Sequence, residues 1–366
     1  MFYLIYQHFA DKIIVVNVFR YLTFRAAAAF VTAAIFAYFV GPIVIKLFNE
    51  KKFVERVGVY MTESHRKKDG TPTMGGLILL PALFVSSLLW NNLSNSFILI
   101  LLFSALWLGI LGFIDDYLKN IKKKGDGLIA KYKILGQLIL AIILLFILYK
   151  LDNTRSFELI AIPFLKNTFL NIGLFFPILV IFLIIGTSNA VNITDGLDGL
   201  AGGTTIFAAF ALAIMAYIKG NTITAGYLNL DFITESGELT VFIFALIGTT
   251  LGFLWFNSNP AQIFMGDTGS LSIGGILAVI SILLQEQIFF AIVAGVFVIE
   301  TLSTIFQTSY FKLTKRFTGK GKRLFLCAPL HHHFERKNIP EGKIVIRFWI
   351  VAAIFAALGL ITIKLR

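Results

Sequence analysis

Residues 97–119 read FILILLFSALWLGILGFIDDYLK. The eighteen residues from Phe97 to Ile114 carry no charge, and two adjacent aspartates, Asp115 and Asp116, follow at once. A helix needs about 20 mostly apolar residues to cross the hydrocarbon core of a bilayer. Carboxylates inside that core are costly, so the pair belongs at its edge. The stretch decides the fold class: a spanning helix that ends in an unusually acidic rim.

The rest of the chain follows the same pattern. Of 366 residues, 57% are hydrophobic and 14% charged, against about 25% charged in soluble domains. Mean hydropathy is +0.84. In lipid the backbone must satisfy its own hydrogen bonds, which leaves helices or closed barrels. The short alternating strands of a barrel are missing. The expected fold is therefore an all-α polytopic membrane protein, one integral membrane domain over residues 1–366. Apolar runs place about ten transmembrane helices near 23–48, 73–91, 96–114, 132–150, 170–188, 200–218, 239–256, 270–285, 287–310 and 344–364. The stretch 270–310 is too long for one crossing, and the polar Gln285-Glu286-Gln287 divides it. A single cysteine, Cys327, excludes an internal disulfide framework and a cysteine-rich metal site. The N-terminus lacks a basic leader and a small-residue cleavage site, so it is not read as a cleaved signal peptide.

Ten crossings put both termini on one side. The connections on the other side, near 49–72, 115–131, 189–199, 257–269 and 311–343, hold most of the Lys and Arg. The positive-inside rule assigns that face to the cytoplasm and the termini to the periplasm. The net charge of +12 chiefly records this topology, with an anionic substrate as a second cause; no nucleic acid is implied. All the unusual polar stretches fall in these five connections: SHRKKDGTPTMGG (64–76), FIDDYLK (113–119), SNAVNITDGLDGLAGG (188–203), FNSNPAQIFMGDTGS (256–270) and APLHHHFE (328–335).

Five of the ten aspartates, Asp115, Asp116, Asp195, Asp198 and Asp267, lie in three of these stretches. Like charges brought together repel unless a cation intervenes. Oxygen-only ligands favour a hard cation, and Mg²⁺ takes one or two carboxylates and fills its other positions with water and substrate phosphates. Helix capping is the alternative for Asp195, Asp198 and Asp267, each of which precedes an apolar run. A single cap does not explain the adjacent pair.

NITDGLDGLAGG has neither Walker A spacing nor a preceding strand. Its glycines suit a tight helix connection or a close ligand approach equally. MGDTGS places an aspartate between glycines at a helix start, where free N–H groups suit phosphate. Three consecutive histidines cannot all face one ion on a helix. Phosphate recognition or proton handling fits HHHFE better than zinc, and a solvated loop with no specific role is the bland reading. A transporter places ionisable groups near the bilayer midplane; here they gather at span ends on one side.

Taken together, DDxxK (115–119), NxxNxTDGLDGLAGG (189–203), FNxxPAxIFMGDTGS (256–270) and PLHHHFE (329–335) resemble the polyprenyl-phosphate N-acetylhexosamine-1-phosphate transferases. SHxxKxGTPTMGG (64–76) narrows the resemblance to the bacterial phospho-N-acetylmuramoyl-pentapeptide transferases. TPTMGG and PLHHHFE argue against the sibling enzymes that transfer GlcNAc-1-phosphate. The resemblance implies a bacterial cytoplasmic membrane enzyme, expected to dimerise, that uses Mg²⁺. Undecaprenyl phosphate attacks UDP-N-acetylmuramoyl-pentapeptide, giving UMP and lipid I. By similarity Asp267 is the Mg²⁺ ligand and Asp115 and Asp116 form a catalytic pair beside it, with Asp116 as the base. An older proposal for the family makes an aspartate the nucleophile, and both mechanisms stay open. Lys68, Asn192, Asp195, Asp198, Asn257 and Phe264 resemble the nucleoside-sugar pocket. Lys119 belongs to the DDxxK motif. His331, His332 and His333 look like the part of the site facing the diphosphate and sugar, and Gln307, at the cytoplasmic end of the ninth span, is a further substrate-binding candidate.

Overall fold

A computed structural model of the chain describes residues 1–9, 11–51, 70–122, 127–151, 156–162 and 168–365. Helices dominate it: α1 (Phe2–Phe9), α2 (Leu22–Glu50), α3 (Gly76–Trp90), α4 (Ser96–Asp116), α5 (Ala130–Leu151), α6 (Phe176–Thr194), α7 (Leu200–Lys219) and α8 (Thr222–Tyr227) in the first part. They continue as α9 (Ser236–Asn257), α10 (Gly266–Leu283), α11 (Gln287–Val293), α12 (Gly295–Thr318), α13 (Leu330–Glu335) and α14 (Glu341–Lys364). Among the described residues, eight helices are long and apolar enough to cross a membrane, or nine if α11 and α12 count as one bent span. The chain is a multi-pass membrane protein. The apolar α3 is shorter, at 15 residues.

Small residues set the packing. Helices in lipid gain little from hydrophobicity and associate where small side chains let backbones meet. The buried face of α2 carries Ala26, Ala29, Ala33, Ala37 and Gly41. Against it lies α9, where a Cβ at Gly248 would stand 2.1 Å from the Phe30 carbonyl oxygen. The centre of the bundle is α10, with Thr268 to Leu283 all buried; it packs on α4 and α6.

The structure departs from the sequence expectation in three places. The chain is not wholly helical: β1 (Leu159–Ala161) pairs antiparallel with β2 (Phe169–Asn171). The span expected at 170–188 therefore starts later, at Phe176, with Pro177 in its first turn. It also runs on to Thr194, through polar residues expected to form a loop. Asn189 donates to the Ile185 carbonyl at 2.8 Å and Thr194 to the Ala190 carbonyl at 2.8 Å. Such back-bonding lets polar side chains remain helical. Finally, the span expected at 287–310 is broken at Ala294, and α11 and α12 meet at 80°. Gly295 at the break lies against the Phe355 ring, 2.6 Å from where a Cβ would stand.

The described parts of the motif-bearing stretches converge on one end of the bundle. Both termini lie at the other end: the Met1 amino group donates to the Leu88 carbonyl late in α3, and Lys364 lies 4.0 Å over the Tyr227 ring of α8. Also at that end, Arg25 of α2 is buried against Glu238 of α9, with hydrogen bonds of 2.8 and 2.5 Å.

Candidate active site

The C-terminus of α4 meets the N-terminus of α10 where Gly112 lies against the backbone of Asp267. A Cβ on Gly112 would stand 2.2 Å from the Asp267 carbonyl oxygen, so a larger residue would push the helices apart. The first N–H groups of a helix have no intrahelical acceptor. Asp116 supplies one from outside the helix. Its Oδ1 accepts from the Asp267 N–H at 3.1 Å; its Oδ2 accepts from the Thr268 N–H at 2.9 Å and the Thr268 hydroxyl at 2.6 Å. The negative charge also suits the positive end of the helix dipole. Gly266, with φ +72°, makes room for this carboxylate: its Cβ would lie 2.7 Å from Asp116 Oδ2.

Asp115 bonds elsewhere. Its Oδ1 accepts from the Leu128 N–H at 2.8 Å. Lys133, in the first turn of α5, pairs with Asp267 and lies 3.4 Å from Asp115. One carboxylate oxygen from each of Asp115, Asp116 and Asp267 lies within 4.8 Å of the other two. Asp115 and Asp116 are buried and Asp267 is half-buried. Three converging carboxylates with no sulfur or imidazole among them fit a hard divalent cation. Lys119, exposed on the π-helical turn that follows α4, is within electrostatic reach of Asp267.

The neighbouring loops are stitched together by the other motif residues. Asp198 accepts from Asn259 at 3.1 Å and from the Ala261 N–H at 3.0 Å, while its own N–H donates to Glu341 of α14 at 2.8 Å. Asn257 accepts from the Gly199 N–H at 3.1 Å and donates to the Ile263 carbonyl at 2.9 Å. The capping alternative thus resolves differently at each aspartate. The carboxylate of Asp198 spans two loops, Asp195 stands at the C-terminus of α6, and α10 is capped by Asp116 rather than by its own Asp267. Asn192 is half-buried in the last turn of α6, and Asp195 follows it. Phe264, half-buried, ties in the first motif: its N–H donates to the Pro72 carbonyl at 2.9 Å and its carbonyl accepts from the Gly75 N–H at 2.8 Å. Lys68 lies outside the described residues.

The histidines occupy α13 and point three ways, as their spacing requires. His331 is fully buried: Glu300 of α12 receives its main-chain N–H at 3.2 Å and lies 3.2 Å from its Nδ1. Burial pushes the His331 pKa below the ordinary value, and the Glu300 carboxylate opposes that shift without reversing it. The ring is therefore neutral at neutral pH. The carboxylate beside Nδ1 assigns the proton to that atom. Nε2, which faces Gly196, is left as a buried acceptor with no hydrogen-bond partner among the described residues. His332 pairs with Glu335 at 2.5 Å and His333 accepts from the Leu326 N–H at 3.2 Å. Gln307 binds the returning loop, accepting from the N–H groups of Leu324 and Phe325 and donating to the Phe325 carbonyl.

Sequence reasoning missed Lys133, Thr268 and Glu300. Lys133 sits just inside an expected span and was hidden by its hydropathy. Glu300 had a signal, since a lone acid within an apolar span needs a partner.

These features define a class, and comparison with known proteins agrees with it. The description of glycosyl transferase family 4 matches residues 98–285. The first signature of the phospho-N-acetylmuramoyl-pentapeptide-transferases matches residues 68–80. Proteins of that name are similar over nearly the whole length. The one from Chlorobaculum parvum is 45% identical, with 96% of this chain and 95% of that protein covered. That from Thermodesulfovibrio yellowstonii is 44% identical over 100% of both, and that from Rickettsia felis 47% over 96% of both. Within family 4, the chain belongs to the phospho-N-acetylmuramoyl-pentapeptide-transferase family.

Proposed function

We infer that this chain transfers phospho-N-acetylmuramoyl-pentapeptide from UDP to undecaprenyl phosphate, releasing UMP and forming lipid I for peptidoglycan synthesis. The observation that carries the reading is the convergence of three carboxylates and Lys133 at the bundle end where the family's motifs meet. One substrate is a lipid and the other is water-soluble, so such a site belongs at the end of a membrane bundle. We place this end at the cytoplasmic face of a bacterial inner membrane, with both termini periplasmic and about ten crossings, counting α3 and the bent pair. The resemblance also implies a homodimer.

An oxygen of the lipid phosphate forms a bond to the sugar-linked phosphorus of the donor. The bond from that phosphorus to the bridging oxygen breaks, and UMP leaves with the electron pair. One phosphoanhydride replaces another, so no ATP is required. The work is positioning and charge neutralisation. Asp267, with Asp115 and Asp116 beside it, would hold the divalent cation, which we take to be Mg²⁺. Bound there, it would neutralise the diphosphate. Lys133 and Lys119 add positive charge from the protein itself.

A carboxylate has room for about four hydrogen bonds, and Asp116 accepts three. The base role proposed for Asp116 uses the remaining position. Asn192, Asp195, Asp198, Asn257, Phe264 and Lys68 are proposed to surround the nucleoside and sugar, with Phe264 stacking on uracil. His331, His332, His333 and Gln307 are proposed to face the diphosphate and sugar.

The test is direct. Purified protein in a bilayer with Mg²⁺, UDP-N-acetylmuramoyl-pentapeptide and undecaprenyl phosphate releases UMP. Folded protein that releases none under these conditions sinks the reading. UDP-GlcNAc offered as a competing donor separates this activity from the sibling class.

A further inference from the structure

A cavity of about 260 Å³ lies between α12, α13 and α14, and none of the acidic cluster lines it. Its walls are Val296 and Ile299 from α12, Leu330 and Phe334 from α13, and Phe348 and Val351 from α14. Among the described residues lining it, Arg347 alone is charged. Arg347 is exposed, and among the described residues no hydrogen-bond acceptor or carboxylate meets its guanidinium. The cavity opens outward past Ile299 and Val351, which are 36% and 39% exposed.

The level of this opening in the membrane follows from α14. The helix begins at Glu341, which is bonded to the Asp198 loop at the motif end. Arg347 is six residues on, about 9 Å along the axis at 1.5 Å per residue. An unpaired arginine on the lipid-facing side of a span, this close to its end, reaches the headgroup layer. An apolar slot with one cation at its mouth matches a hydrocarbon chain attached to a phosphate.

We propose that this cavity takes an acyl chain of an anionic membrane phospholipid whose phosphate pairs with Arg347. The substrate lipid is a poorer fit. Leu330 and Phe334, four residues apart, share one face of α13, while His331 points another way, against Glu300 and Gly196. The short helix thus stands between the cavity and the motif loops, and a phosphate held by Arg347 is on the wrong side of it for transfer. The same arrangement gives the lipid an effect: a chain against Leu330 and Phe334 braces the helix that carries the three histidines.

The test uses full-length protein in bilayers of phosphatidylcholine with phosphatidylglycerol, without nucleotide or polyprenyl phosphate. Its outcome is therefore independent of the transferase reading. Retained lipid is counted by native mass spectrometry after extraction, and amide exchange is followed over residues 330–335. Wild-type protein retains phosphatidylglycerol about fivefold over phosphatidylcholine, the preference one basic side chain near a membrane surface confers. Exchange over 330–335 slows when phosphatidylglycerol is present. Arg347→Gln, at an exposed position, brings the ratio to about one and removes the slowing. Val351→Trp narrows the mouth and lowers retention of both lipids. An equal ratio in wild type and Arg347→Gln overturns the proposal. In a separate arm with undecaprenyl phosphate added, Arg347-dependent displacement of phosphatidylglycerol also overturns it, because that would make this the substrate's own site. Loss of a dimer in Val351→Trp with lipid retention unchanged would make it a subunit contact and overturn it as well.

Discussion

Glu300 holds His331 by both its main chain and its ring, and all of these groups are buried. The carboxylate keeps the ring proton on Nδ1, so Nε2 presents a lone pair toward the Asp195–Gly199 loop. The roughly 10–100-fold cost of losing the partner that orients a metal-ligating imidazole sets the scale expected if His331 acts in the proposed site. Glu300→Gln keeps an oxygen for Nδ1–H and should lower kcat about tenfold. Glu300→Ala should lower it about a hundredfold. Initial rates of UMP release in the two variants measure this, and equal rates would remove the positioning role.

Asp116 is both a proposed base and the cap of α10. Asp116→Asn sets an amide N–H₂ where Oδ1 or Oδ2 now accepts from Asp267 and Thr268. Turnover should fall by roughly 10²–10⁴, and stability by about 1–2 kcal/mol from the damaged cap. Asp115→Asn should cost activity with a smaller second effect, because the one N–H that Asp115 accepts among the described residues, from Leu128, lies before α5 and not within a helix. Thermal unfolding of both variants in detergent distinguishes them.

Lys133 lies between Asp115 and Asp267. With the ammonium gone in Lys133→Gln, Mg²⁺ no longer competes with an internal cation for the carboxylates, and the positive charge facing the diphosphate is weaker. Half-maximal Mg²⁺ should therefore shift to lower concentration while turnover falls by roughly 10²–10³. A Mg²⁺ titration of UMP release reads both, and an unchanged half-maximal concentration counts against placing the cation here.

His331 is buried in its neutral form, with a folded pKa below its unfolded value near 6.5. In the window between those two values the unfolded chain binds more protons than the folded one, so stability rises with pH. The contribution is complete above about pH 6.5 and is lost as pH falls below it, by at most about 1.4 kcal/mol per pH unit. Comparing unfolding temperatures at pH 7.5 and 5.5 for wild type and His331→Gln isolates this share; an equal pH dependence in both contradicts it.

At the far end, Arg25 is almost fully buried against Glu238. Removing one member of a buried pair strands the other, at about 3–5 kcal/mol. Glu238→Ala should lower thermal stability by that order, yet leave KM for the nucleotide unchanged below the new transition. A change in KM would show that the two ends are coupled.

The helical spans were legible because hydropathy is a long-range average, robust to single residues. It failed where polar groups satisfy themselves locally, as Asn189 and Thr194 do, and where a break is sterically driven, as at Gly295 against Phe355. The acidic cluster was legible because adjacent carboxylates at a span end have few structural uses. Lys133 and Glu300 were not, since their partners lie 134 and 31 residues away in sequence and only the packed bundle brings them together. Nor could spacing show that Asp116 caps a helix begun 150 residues later, because that depends on the close contact at Gly112.

Glu341 grips the N–H of Asp198, and Trp349 donates its indole N–H to the Gly199 carbonyl at 3.2 Å. Both belong to α14, which follows the helices of the acidic cluster in the chain. During synthesis the residues of the acidic cluster are all in place once α10 has emerged, but the loop between α6 and α7 gains these two supports only after α14 follows. The support of that loop is thus acquired later than the cluster it borders, and its shape depends on a helix far from it in sequence.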